Sequence, residues 1–213
     1  MLTYTTYFSS MADGVKSIDQ ILNKLGIKSL NEMQKKSQIE ISTNKSIIIH
    51  SPTGSGKTLA FLLPIIAELD PQEREIQALI LVPSRELALQ IESVVREMGS
   101  GYKANAIYGG RSGQKDRIDL KHPPAILIGT PGRIADRIRR DSISTQGIKT
   151  LVLDEFDKSL EIGFEEDMKE ILFSLDKVTK RILTSATRLA EIPRFVGLDE
   201  AIVLDFSNEE ASK

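Results

Sequence analysis

The stretch Ser46-Ile47-Ile48-Ile49-His50-Ser51-Pro52-Thr53-Gly54-Ser55-Gly56-Lys57-Thr58 decides how the rest of the chain is read. An apolar run of strand length passes directly into a Gly-rich turn, and the turn opens an apolar helix. That is the context of a phosphate-binding loop. Small residues at Ser51, Thr53, Gly54, Ser55 and Gly56 let backbone N–H groups wrap an anion, and the helix N-terminus adds its positive end. Lys57 is placed to meet the outer phosphates and Thr58 to hold magnesium. Ser51 stands where the strict pattern begins with Gly, and an ordinary Gly-rich strand-helix turn is the competing reading.

Further apolar runs follow: Ala78 to Val82, Ala104 to Tyr108, Ala125 to Ile128, Thr150 to Leu153, Arg181 to Thr184 and Ala201 to Leu204. They mostly do not alternate with polar residues, which is the pattern of strands buried on both faces. Between them lie stripes at helical spacing: Ile18, Ile21, Leu22 and Leu25 with Gly26 as a stop; Leu87, Ile91, Val94, Val95 and Met98; Met168, Ile171, Leu172 and Leu175. The alternation predicts an α/β domain with a mostly parallel sheet of about seven strands and helices on both faces. In such sheets ligands bind at the carboxyl ends of the strands. Six of the seven runs are followed at once by a Gly, Pro or polar signature, so all six should line one rim.

With 213 residues, 40% hydrophobic and 27% charged, the chain can bury a core without covalent or metal staples. It has no cysteine, which excludes a disulfide framework, thiolate zinc sites and a cysteine nucleophile. A net charge of −2 means that any nucleic-acid surface must be a local patch. No run reaches the length of a membrane span, and Met1 to Gly14 lacks the basic start and apolar stretch of a signal peptide, so a soluble, cytoplasmic protein is expected. His50 and His122 are isolated and read as structural, and Arg137, Arg139 and Arg140 as a solvated helix face.

Asp154-Glu155-Phe156-Asp157 follows the run from Thr150 to Leu153. A carboxylate there, Asp154, can hold magnesium through water, and Glu155 can position or deprotonate an attacking water. The competing reading is a helix start decorated with acids, which the helix dipole favours in any case.

Together these motifs resemble the first RecA-like domain of a DEAD-box RNA helicase, across essentially the whole chain and in the family's order. Phe156 stands where the family usually has Ala, so local packing must differ. The resemblance implies a RecA-like three-layer sandwich and gives roles to further residues. Phe8, then 17 residues, then Gly26 to Gln34 matches the adenine-sensing segment, with Phe8 packing on adenine, Lys28 within the segment and Gln34 reading the base edge. Leu30-Asn31 replaces the family's Pro-Thr there; Asn31 can still cap a helix, and Gln34 could be no more than its capping-box partner.

Pro83-Ser84-Arg85, Gly109-Gly110 and Thr130-Pro131-Gly132-Arg133 match the family's RNA-facing motifs. As helix openings they would bind phosphate oxygens through free N–H groups, hydroxyls and arginines, without reading bases; the rival reading is good helix starts and tight turns. Ser185-Ala186-Thr187 matches the motif that couples nucleotide to RNA, its hydroxyls expected on the acidic motif, including Asp157.

The division implied is an N-terminal segment over 1–34, the ATP-binding domain over 35–206 and a tail over 207–213. The function implied is ATP hydrolysis, with magnesium, coupled to local RNA unwinding or remodelling, by a monomer. The family's second domain, whose arginines complete the ATP site, is absent from these residues, so the chain is expected to bind ATP, hydrolyse it poorly and not unwind. The alternatives are a nucleotide-gated RNA clamp with little turnover and a DNA-directed P-loop ATPase.

Overall fold

A computed structural model describes residues 14–189 and 191–207. Phe8 and the tail beyond Ser207 lie outside the described residues. The strands are β1 Ser46–His50, β2 Ala78–Leu81, β3 Ala104–Ile107, β4 Ile126–Gly129, β5 Thr150–Leu153, β6 Lys180–Ser185 and β7 Ile202–Asp205. They form one seven-stranded sheet in the order β3-β4-β2-β5-β6-β1-β7. Every pairing is parallel, so every strand delivers its carboxyl end to the same rim.

The helices are α1 Ile18–Lys24, α2 Glu32–Thr43, α3 Lys57–Glu68, α4 Arg85–Met98, α5 Gly113–Leu120, α6 Pro131–Arg139, α7 Phe156–Ile162 and α8 Glu165–Phe173. The period of two along each strand divides the core into two layers. Ile47, Ile49, Ala78 and Ile80 pack with α1 to α4, whereas Ile48, Leu79 and Leu81 pack with α6, α7 and α8. The result is the three-layer architecture. Burial on both faces holds for β2, β4 and β5, which are buried at every position. It fails at the edge strand β7, where Ile202 and Val203 are exposed because only β1 flanks it.

Sequence turn signals act locally as their chemistry requires. Ser17 and Gln20 form a reciprocal capping box on α1, and Asn31 and Gln34 form one on α2. Gly129 ends β4 where a Cβ would lie 2.7 Å from both Ile107 O and Ile134 Cδ1, so only glycine fits between strand and helix. Two expectations shift. Leu175 is buried but lies past the end of α8, beyond its C-cap Ser174. Gly109-Gly110 makes a turn and does not itself open a helix, since α5 begins at Gly113. No helix among the described residues is long and apolar enough to cross a membrane.

Candidate functional site: the carboxyl rim of the sheet

The glycine-rich loop leaves β1 and enters α3 through Gly54 at φ +82° and Gly56 at φ +91°, conformations that L side chains rarely adopt. Gly56 is the N-cap of α3 and provides no side-chain cap, which leaves the first amides of that helix available to an anion. Two side chains from the α2 capping box brace the loop. Asn31 Nδ2 donates to Ser55 O at 3.1 Å, and Gln34 Nε2 donates to Gly56 O at 3.3 Å. Gln34 Oε1 accepts from Asn31 N at 3.0 Å, so its carboxamide is engaged at both ends. Lys28 is exposed. Ser51 is fully buried, its hydroxyl bonded to Ser55 Oγ, and Ser55 Oγ donates to Pro52 O.

Lys57 reaches back over the loop and donates to Ser51 O at 2.6 Å and Pro52 O at 2.7 Å. Burial holds its ammonium below the ordinary lysine range, and Asp154, Glu155 and Asp157 oppose that shift by their charge. Lys57 and the acidic motif therefore share one electrostatic neighbourhood.

Asp154 is buried at the end of β5. Burial pushes its carboxyl up to about 6, with the Glu155 charge acting the same way and the Thr184 hydroxyl and Lys57 acting against it. Glu155 takes a left-handed backbone, φ +49°, a conformation costly for a side chain of this kind and concentrated at functional sites. Its carboxylate pairs with Lys158 Nζ at 2.9 Å. Asp157 Oδ2 accepts from Thr187 Oγ1 at 2.8 Å and Thr187 N at 3.1 Å. Burial raises the Asp157 carboxyl, but Thr187, the Ser185 hydroxyl and the Lys158 amide together outweigh it and leave the group below the ordinary range. Ser185 Oγ itself donates to Thr187 O at 2.6 Å.

Thr184 was not singled out by its motif, yet its hydroxyl donates to Asp154 Oδ1 and accepts from Glu155 N. The usable signal was its place at the end of a strand that runs beside the acidic one.

Buried Asp154 is an oxygen donor of the kind a divalent cation takes. No group of three His, Cys, Asp or Glu side chains among the described residues could hold a metal alone. An ion here would need phosphate oxygens as well, as magnesium commonly does.

Because the Asp154 carboxyl is raised, the folded chain takes up this proton near pH 6 while the unfolded chain waits until about pH 4, so this group's contribution to stability grows as pH falls between them. Asp154→Asn, which removes the buried charge, is therefore expected to stabilise the ligand-free chain at pH 8 by about 2 kcal/mol. It should also flatten the stability profile between pH 7 and 4. Urea unfolding across that range checks this; a loss of stability at pH 8 would mean that attraction to Lys57 outweighs burial.

Farther along the rim, Pro83 is buried, and Ser84 caps α4 by accepting from Leu87 N at 3.1 Å. Arg85 is exposed and stacks over the Tyr108 ring, 5.1 Å from its centroid, which joins the loop after β2 to the strand leading into Gly109-Gly110. Both of those glycines are exposed. Thr130 and Pro131 are buried at the start of α6, and Gly132 lies against Asp167 and Phe164.

Arg133 is committed inward. Its Nε donates to Asp116 Oδ2 at 2.8 Å and its Nη2 to Arg111 O at 2.6 Å. Asp116, fully buried, also pairs with Arg111 Nε at 3.5 Å and Arg137 Nε at 3.2 Å. The solvated-face reading therefore fails for Arg137, which is buried by this cluster, and holds for Arg139 and Arg140. Asp116 and Arg111 carried no recognisable sequence signal. His50 is buried beside the loop. A cleft of about 580 Å³ near Pro71, Tyr102, Lys103 and His122 lies at the opposite ends of the strands and includes none of these candidates.

A family model described as DEAD/DEAH box helicase matches residues 31–194. The chain belongs to the DEAD/DEAH box helicase family. It is 34% identical over 189 residues to the DEAD-box ATP-dependent RNA helicase CshA of Bacillus subtilis, covering 88% of this chain and 37% of that protein. It is 33% identical to the probable ATP-dependent RNA helicase CG8611 of Drosophila melanogaster, over 93% of this chain and 22% of that protein. The chain thus spans well under half the length of these relatives. The fold matches a DEAD box protein from Methanococcus jannaschii with a TM-score of 0.78 at 30% identity, over 90% of this chain and 54% of that one. A hypothetical ATP-dependent RNA helicase from Sulfolobus tokodaii matches with a TM-score of 0.80 at 28% identity, over 88% of this chain and 56% of that one. The RecA-like, first-domain architecture expected of a DEAD/DEAH box helicase is the one observed.

Proposed function

We propose that this chain is the ATP- and RNA-binding first domain of an ATP-dependent RNA helicase, in which ATP hydrolysis drives local separation of RNA strands. The supporting observation is the convergence of loop, lysine and acids at one rim, with Lys57 electrostatically coupled to Asp154, Glu155 and Asp157. The α3 amides and the loop amides would bind the phosphates. Lys57 would exchange Ser51 O and Pro52 O for phosphate oxygens and so offset their charge. Thr58 and Asp154 would hold magnesium, which when bound neutralises charge on the phosphates. Glu155 would orient the attacking water and accept its proton. Phosphoryl transfer asks mainly for such positioning and charge stabilisation.

Gln34, with Phe8 and Lys28, would sense adenine. Releasing Gly56 O would free the Gln34 amide group for the base, so nucleotide sensing and the shape of the loop would be linked through one side chain. On the RNA side, Ser84, Arg85, Gly109, Gly110, Thr130, Pro131, Gly132 and Arg133 would contact the backbone, with Pro83 shaping the first turn. Such contacts are insensitive to base sequence and sensitive to salt. Ser185 and Thr187, through Asp157, would carry the state of the nucleotide towards them. The work is expected in a soluble, monomeric, cytoplasmic protein that pairs this domain with a second RecA-like one.

Lys57→Ala is expected to weaken ADP binding about 30-fold or more, the loss of a charge-assisted hydrogen bond to phosphate. Glu155→Gln should bind within about threefold of the parent chain while abolishing turnover in the intact helicase. Calorimetric titration tests both. Unchanged binding by Lys57→Ala would remove the phosphate-loop reading, and failure of Glu155→Gln to bind would remove the division of roles.

A further inference from the structure

Thr184 is the penultimate residue of β6, fully buried, and lies in register with Ile49 of β1, just before the glycine-rich loop. Asp154 N still donates across to Leu81 O of β2 at 2.9 Å, so β5 keeps its ladder on that side. At Glu155 the chain turns into the left-handed conformation, and the amide facing β6 meets the Thr184 hydroxyl at 3.1 Å in place of a strand carbonyl. The same oxygen gives its proton to Asp154 Oδ1. One hydroxyl therefore satisfies the amide of the strained residue and fixes the carboxylate of its neighbour. The Thr187 hydroxyl, three residues on, serves Asp157 alone.

We propose that Thr184 is a positioning residue for the acidic pair, holding the Asp154 carboxylate in the orientation that magnesium requires and the Glu155 backbone in the turn that presents its side chain. This rests on the assignment of Asp154 and Glu155 to the ATP site. The chemistry needs both functions of a hydroxyl, donor and acceptor, on a side chain small enough for a fully buried strand position. Valine has the shape and neither function; serine has both functions.

The test measures ADP affinity of the 213-residue chain in excess magnesium and in EDTA, for Thr184→Val, Thr184→Ser and Asp154→Asn. Thr184→Val is expected to lose about tenfold of the magnesium-dependent gain in affinity, the scale seen when a partner orienting a metal ligand is removed. Its affinity in EDTA should stay near that of the parent, and Thr184→Ser should restore most of the loss. A purely structural role would lower stability without separating the two affinities. In nucleotide-free chain, the Glu155 amide should exchange its hydrogen faster in Thr184→Val than in Thr184→Ser. If Thr184→Val fails to fold, Thr184→Ala measured in the cold replaces it. A full magnesium gain in Thr184→Val with a lost gain in Asp154→Asn overturns the positioning role alone. A full gain in Asp154→Asn overturns the assignment of the acidic motif, and the proposal with it.

Discussion

Phe156→Ala restores the family's usual Asp-Glu-Ala-Asp and is nevertheless expected to destabilise this chain by about 3–5 kcal/mol. Phe156 begins α7 and is fully buried, among the largest side chains enclosed by the fold. It belongs to the layer that contains Ile48, Leu151, Leu153 and Leu183, under the last residues of the strands that carry the site. Truncation removes the transfer energy of the ring and leaves a cavity that the surrounding strands cannot close. For a chain of this size the melting temperature should fall by roughly 6–20 °C. Asp154 and Glu155 are not touched, so nucleotide binding measured well below that temperature should remain within a few-fold of the parent. A melting temperature within about 2 °C of the parent would show that neighbouring side chains fill the space, and that the ring does not hold this layer together.

Asp116→Ala should have an effect of similar size by electrostatic means. Its carboxylate is fully buried and faces Arg111, Arg133 and Arg137, whose side chains are 16%, 15% and 10% exposed. Removing it leaves three poorly solvated guanidinium groups with Asp119 and Asp136 as the remaining acids. Loss of one partner from a buried ionic cluster costs about 3–5 kcal/mol, because the remaining charge stays uncompensated. Asp116→Asn keeps shape and an acceptor and should lose less. Thermal unfolding of both variants at low and high salt separates this from a packing effect, since buried pairs are little screened. An Asp116→Ala chain as stable as the parent would mean that the arginines reach solvent or the flanking acids without strain. The same cluster holds Arg133, so the variant should also loosen whatever that arginine does at the rim.

The contrast between these residues shows what the chain discloses in one dimension. Strand positions were legible because burial on both faces writes continuous runs of Ile, Leu and Val, and the glycine-rich loop because its chemistry is contiguous. The rim followed from parallel pairing, which brings distant signatures together without any one of them saying so. Asp116 was not legible. It sits in a helix without an apolar stripe, and its partners come from a loop and a helix 17 and 21 positions later, so nothing local marks it as buried. Arg137 misled for the same reason, a run of basic residues being usually solvated. Gln34 was legible twice over. The capping-box reading and the base-reading role use the same carboxamide, and the geometry shows it occupied by the former while touching the loop. β7 misled because an apolar run does not reveal whether its strand is central or at an edge.

The strand order also dictates when the glycine-rich loop can take shape during synthesis. β1 precedes the other strands of this sheet, yet its two neighbours are β6 and β7, more than 120 residues later. The middle of the sheet, β4-β2-β5 with β3 at its side, can pair as it emerges, but Ile47, Ile48 and Ile49 have no strand to pair with until residues 180–205 are available. Until then a nascent chain carries an apolar, β-prone segment with both edges open, the kind of segment that recruits chaperones or aggregates. The glycine-rich loop, made ahead of the acidic motif and the other rim signatures that follow it, is among the last to acquire its scaffold.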